Sequence, residues 1–171
     1  YTASDKDNSD TLTVKAYDSN NSSLHEMKAI NISVTAVNDP PVVGTPKLTV
    51  SEGGEVLVSS TDLGVSDPDD ADTAVTIQGS NVTHGKFVNV SDVTADITTF
   101  TLDDVKTNKI KFIHSGDESK PTFSVAAKDD ESAYGSPKEA TVTFTPVNDA
   151  PVYGTPTLSI GEGGTVPITK A

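Results

Sequence analysis

The chain repeats itself, and the period limits what can fold. Val37-Asn38-Asp39-Pro40-Pro41-Val42 returns 110 residues later as Val147-Asn148-Asp149-Ala150-Pro151-Val152. The match runs on through Gly44-Thr45-Pro46 and Gly154-Thr155-Pro156, then Glu52-Gly53-Gly54 and Glu162-Gly163-Gly164. Residues 37–58 and 147–168 agree at 13 of 22 positions. Upstream, at an offset of 111, Leu12-Thr13-Val14 matches Phe123-Ser124-Val125 and Asp18 matches Asp129. Self-similarity at a fixed period marks a tandem array. Residues 1–38 then read as the C-terminal part of a preceding repeat, 39–149 as a complete repeat, and 150–171 as the start of a following one. The outer pieces match roughly 112–148 and 40–61, so they cannot be joined into a whole repeat. With no initiator Met and no signal peptide, the chain is expected to be an internal stretch of a longer array.

Within the repeat the apolar period is 2. Short alternating runs stand at Leu48–Val50, Val56–Val58, Val75–Ile77, Phe87–Val90, Ile110–Ile113, Phe123–Val125 and Val142–Phe144. Gly, Pro, Asn, Asp and Ser clusters separate them. Seven short strands in one such period predict an all-β fold, an Ig-like antiparallel β-sandwich. Thr101 with Asp104 three residues on has the form of a capping box and predicts a single helical turn. The Gly53-Gly54 pair reads as a turn between adjacent short strands. The prolines after Asp39 favour a stiff, extended linker.

Composition excludes several functions. Acidic residues outnumber basic ones 25 to 12, for a net charge of −13, which disfavours nucleic acid and anionic membrane partners. No apolar run approaches the ~20 residues of a membrane span, so no direct membrane insertion is expected. There is no Cys, hence no disulfide, thiolate ligand or Cys nucleophile. His25, His84 and His114 are far apart and read as structural or exposed. No Gly-x-Ser-x-Gly elbow, phosphate loop or dinucleotide fingerprint is present, so no catalytic residue is assigned and an enzyme is not expected. Asn20, Asn21, Asn31, Asn81 and Asn89 open Asn-x-Ser/Thr triplets, which arise readily by chance in so Ser/Thr-rich a chain.

The acidic excess is local. Asp62, Asp67, Asp69, Asp70 and Asp72 fall within residues 61–72, with no Lys among them. Like charges so close are unfavourable unless solvated or neutralised. Ca²⁺ is the natural neutraliser, a hard cation taking six to eight oxygens. Asn38-Asp39 and Asn148-Asp149 supply more oxygens at the linkers. The same Asp-Pro-Asp-Asp also suits a plain solvated turn.

The ordered set of motifs resembles the cadherin-like repeats of the chondroitin-sulfate-proteoglycan type, found in animal matrix proteins and giant bacterial surface proteins. It rests on Leu48-Thr49-Val50-Ser51-Glu52-Gly53-Gly54, Asp67-Pro68-Asp69, Thr83-His84-Gly85-Lys86-Phe87 and Phe100-Thr101 with Asp104-Val105. Ile110-Lys111-Phe112-Ile113-His114, Phe123-Ser124-Val125 with Asp129, and the Val147-to-Pro151 linker complete it. The family places an acid just before the Phe123 strand, where this repeat has Pro121 and the preceding one Asp10.

The resemblance implies Ca²⁺ between repeats. By position, the first junction would use Asp18, Asn38, Asp39, Asp67 and Asp69. The second would use Glu52, Asp129, Asn148 and Asp149. It further implies an extracellular or cell-surface setting, with binding on the order of 10⁻⁴–10⁻³ M as in other extracellular modules. The expected function is a structural extender repeat of a large surface or secreted adhesin, serving cell adhesion or attachment to a biofilm or matrix. Its direct partners are neighbouring repeats of the same chain, with glycan or protein ligands bound through other domains. The alternative is a module that itself recognises glycan or another copy of itself.

Overall fold

The computed structural model describes residues 8–21, 23, 25–35 and 37–168; the ends of the two flanking pieces, 1–7 and 169–171, lie outside it. Alternation in sequence becomes alternation in burial. In Lys47–Ser51 the pattern is exposed, buried, exposed, buried, exposed, with Leu48 and Val50 inward. In Ile110–His114 the inward residues are Ile110, Phe112 and His114.

The elements in order are β1 (Asn8–Tyr17), β2 (His25–Val34), β3 (Val42–Val43), β4 (Lys47–Ser51), β5 (Glu55–Leu57), α1 (Ser60–Leu63), β6 (Val65–Ser66) and β7 (Thr76–Thr83). There follow β8 (Gly85–Asn89), β9 (Thr99–Thr101), α2 (Leu102–Lys106), β10 (Ile110–His114), β11 (Thr122–Lys128), β12 (Lys138–Glu139) and β13 (Thr141–Thr145). The fold is all-β, and each of the seven expected runs lies in or directly beside a strand. Helix α2 begins where expected: the Thr101 side chain accepts from Asp104 N, and the Asp104 side chain accepts from Thr101 N.

Two sheets carry the repeat, β5-β10-β8 and β12-β11-β7-β9. They face each other across four phenylalanines. Phe87 on β8 meets Phe123 on β11 at 5.2 Å between ring centroids and 89° between planes. Phe112 on β10 meets Phe123 at 5.9 Å, and Phe100 on β9 meets Phe87 at 5.7 Å. Such edge-on and tilted contacts suit aromatic quadrupoles. A chain poor in aromatics has concentrated them where the two sheets touch.

The first and last strands of the repeat close it. β4 runs parallel to β13 over five pairs, Thr141↔Lys47 to Thr145↔Ser51. β3 pairs antiparallel with β6 through Val42↔Ser66 and Val43↔Val65. The Gly53-Gly54 turn joins β4 to β5, but the two do not pair: β4 lies on β13 and β5 on β10. The turn therefore hands the chain to a different partner strand.

Among the described residues, every core hydrophobic residue falls between Val43 and Val142. Among the described residues, β1 and β2 form a ten-pair hairpin with no buried side chain, and residues 150–168 are exposed throughout.

Candidate metal centre

The acids of residues 61–72 have separate uses. Asp62 caps α1, accepting from Ser59 N at 3.0 Å. Asp72 pairs with Lys106 Nζ at 2.6 Å. Asp67, Asp69 and Asp70 are left, and none of them joins an ion pair among the described residues. Asp67 Oδ1 accepts from Asp69 N at 3.1 Å and Asp70 N at 2.8 Å, so the loop is wound on its own first carboxylate.

Topology then brings in the rest. β6 ends beside the incoming linker, which places Asp67 next to it. β11 runs antiparallel to β7, with Lys128 opposite Thr76, so Asp129 arrives at this same end. Asn38 Nδ2 donates to Asp129 Oδ2 at 3.1 Å, and Asp39 N donates to Asp69 Oδ2 at 3.2 Å. Carboxylate oxygens of Asp67, Asp70 and Asp129 lie within 4.8 Å of one another, and so do those of Asp70, Asp130 and Glu131.

Three oxygens here, Asp67 Oδ2, Asp69 Oδ1 and Asp70 Oδ2, are buried with no hydrogen-bond partner among the described residues. An unsatisfied buried carboxylate oxygen is costly. Burial, then the charges of Asp67, Asp130, Asp129 and Asp69, hold the Asp70 carboxyl above the usual carboxylate range. Asp130 foremost, with burial and Asp70, pushes Glu131 up as well. Asp129 goes the other way: hydrogen bonding with the Ser132 side chain, despite burial, and from Asn38 favours its anion. The site is preorganised negative charge with free lone pairs, and its all-oxygen donors fit a hard cation.

A second group forms at the outgoing end. The parallel β4·β13 ladder puts Glu52 beside the departing chain, and Glu52 Oε2 accepts from Val147 N at 2.8 Å. Glu52, Glu118 and Asp149 bring carboxylate oxygens within 4.8 Å of each other. Asn148 turns back on its own chain, its Nδ2 donating to Asp149 O at 3.3 Å.

Two junction assignments from sequence need correction. Asp129 belongs with Asn38, Asp67 and Asp70 at the incoming end, not with Glu52 and Asp149. The antiparallel return of β11 is the reason. Asp18, its counterpart, sits at the tip of the β1–β2 hairpin, where its Oδ1 accepts from Asn20 N and Asn21 N. Nine pairs of the ladder separate that tip from Val34, roughly 30 Å, so it does not reach Asn38 through the hairpin. Sequence reasoning left Asp70, Asp130, Glu131 and Glu118 out of the ligand set. Asp70 and the Asp129-Asp130-Glu131 run stand out in the sequence as charge clusters; Glu118 has only Asp117 beside it, in a short loop that also carries Lys120, and gives no such signal.

A β-sandwich with carboxylates gathered at both chain junctions defines a cadherin-like module. A cadherin-like family model matches residues 40–144, more than half of the chain, and the chain belongs to that family. Domains of this kind are generally non-catalytic structural or adhesion modules, typically extracellular, and often bind Ca²⁺. No curated protein matches the chain. No helix among the described residues is long and apolar enough to cross a membrane.

Proposed function

We propose that the chain is an extender segment of a large cell-surface or secreted adhesin, with cadherin-like repeats of the chondroitin-sulfate-proteoglycan type held in line by Ca²⁺. The hairpin and residues 150–171 belong, in this reading, to the repeats before and after the complete one. The observation that carries it is the set of three buried, unpartnered oxygens on Asp67, Asp69 and Asp70 at the incoming linker. When bound, Ca²⁺ would supply the positive charge that these oxygens lack. Asp67, Asp69, Asp70 and Asp129 would hold it, while Asn38 and the Asp39 N–H already tie the linker to two of those carboxylates. A flexible hinge becomes a fixed one because the linker is hydrogen-bonded to two of the carboxylates that the ion would lock in place.

The strand order suits a load-bearing unit. The chain enters ahead of β4 and leaves after β13, and these strands are parallel. Pulling the two linkers apart shears five residue pairs together instead of opening them one at a time.

Calcium titration of the chain tests the reading. With Kd on the order of 10⁻⁴–10⁻³ M, 10 mM Ca²⁺ stabilises by about 1.4–2.7 kcal/mol. That is a rise in Tm on the order of 5–15 °C for a domain of this size. Small-angle scattering should show a longer, narrower particle with calcium than with EDTA. The same Tm and dimensions in both conditions would overturn it.

A further inference from the structure

His114 ends β10 with 3% of its surface exposed, and both of its ring nitrogens are engaged. Nε2 lies 2.9 Å from Ser119 O, which only accepts, so Nε2 carries the hydrogen. Nδ1 lies 3.2 Å from Gly53 N and 3.0 Å from Gly116 N, which only donate, so Nδ1 is the acceptor of both. These partners assign the ring one tautomer. It also stacks on Phe144 of β13, with centroids 4.9 Å apart and planes 24° apart. Its own N–H donates to Gly54 O at 3.0 Å.

Gly53 (φ +62) and Gly116 (φ +84) hold left-handed conformations that aim their N–H groups at this ring. One side chain thus binds together the 52–54 turn, the 115–119 loop and β13. Those elements carry Glu52, Glu118 and the outgoing linker. The path from His114 to the linker has two short branches. One runs through Gly53 to Glu52, whose N–H donates to Thr145 O at 3.0 Å and whose carboxylate holds Val147 N. The other runs through Phe144, three residues before Val147. An apolar residue could fill the space, but would leave the two glycine N–H groups and Ser119 O without partners.

We propose that His114 is the positioning residue of the outgoing end, setting the direction in which Val147-Asn148-Asp149 leaves the repeat. Among the described residues it forms no hydrogen bond with the linker or with a carboxylate, and it acts through Glu52 and Phe144. Its purpose rests on the extender reading, since a repeat that sets the course of the next must fix its exit.

The test is ¹⁵N relaxation on the full chain, calcium-free. In the wild type, order parameters at Val147 and Asn148 should be near those of rigid backbone, about 0.85. In His114→Gln, which keeps bulk and a distal donor for Ser119 O but has no acceptor in place of Nδ1, they should fall below about 0.6. In His114→Asn, whose Oδ1 can stand where Nδ1 does, they should stay near the wild-type value. Amides of β7 and β11 report in each sample that the sandwich is folded. A linker that is disordered in the wild type, or equally ordered in both variants, overturns the proposal. Calcium added to the same wild-type sample separates the two ideas. No response at Asp67, Asp70 or Asp129 sinks the metal reading and leaves the relaxation result to decide the role of His114.

Discussion

The chain contains the same strand twice, with two different fates. Leu48 and Val50 are 2% and 5% exposed in β4, whereas their repeat partners Leu158 and Ile160 are 64% and 53% exposed in a segment with no strand. Phe123 and Val125 are each 1% exposed, whereas Leu12 and Val14, on a well-formed β1, are 53% and 46% exposed. Local pattern suffices for the hairpin, because β1 has β2 beside it. It does not suffice for residues 157–161, because the strand that β4 leans on is β13 of its own repeat. Alternation names the inward face; only a partner makes it an interior.

The largest effect that could break this comparison is at Phe123. Phe123→Ala removes a ring packed on Phe87 and Phe112 and should cost about 3–5 kcal/mol. Leu12→Ala, at the equivalent position of the partial repeat, should cost less than about 0.5 kcal/mol. Urea unfolding of the two variants measures both. Comparable losses would mean that the hairpin face is covered in solution and that the two regions are not different after all.

A smaller effect compares two helix caps. Ser59-Ser60-Thr61-Asp62 and Thr101-Leu102-Asp103-Asp104 share one reciprocal box. Ser59→Ala and Thr101→Ala should each lose about 1 kcal/mol. Thermal melts will show whether the two caps are equivalent; a cap without measurable effect would mark that helix as held by its neighbours alone.

These caps show what could be read from sequence. The Thr101 box stands before an apolar pair, Leu102 and Val105, and reads as a helix start. The Ser59 box has the same spacing, but its Asp62 lies at the head of an acidic run and was grouped with the run's other acids. The charge pattern hid the cap. The seven strands were legible as short apolar runs between turn residues; burial alternates in β4 and β10, whereas Phe123 to Ala127 of β11 are all buried, and β9 and the two-residue strands β3, β6 and β12 are too short for a period to appear. The incoming cluster was legible only in its sequence-local part, Asp67 and Asp69 with Asn38 and Asp39. Asp129 lies at the incoming end because β11 runs back beside β7, which spacing along the chain does not reveal. Glu118 meets Glu52 and Asp149 only after three separate segments converge, and no single one of them signals it.

The smallest effect, and the most diagnostic, is in the pH dependence of the incoming cluster, where the neighbours Asp70 and Asp129 are shifted in opposite directions. Asp70 and Glu131 lie above their ordinary values of 3.8 and 4.5, so the folded state takes up their protons before the unfolded chain does. Their ionised forms oppose folding at neutral pH, and that opposition is relieved as pH falls through their folded values. Asp129, Asp104 and Asp92 lie below 3.8; what they contribute is present above 3.8 and lost as pH falls through their folded values. In EDTA, Tm should therefore rise on acidification from pH 7, pass a maximum, and fall below about pH 4. With Ca²⁺ the upper limb should reverse, because protons and the cation compete for the same oxygens. Asp70→Asn should flatten the rise in EDTA, raise the calcium-free Tm at pH 7, and weaken calcium on the order of tenfold through the lost ligand charge. A Tm that falls steadily from pH 7 in EDTA would mean that the three unpartnered oxygens are already satisfied by water, and that the incoming cluster is a solvated turn like any other on this surface.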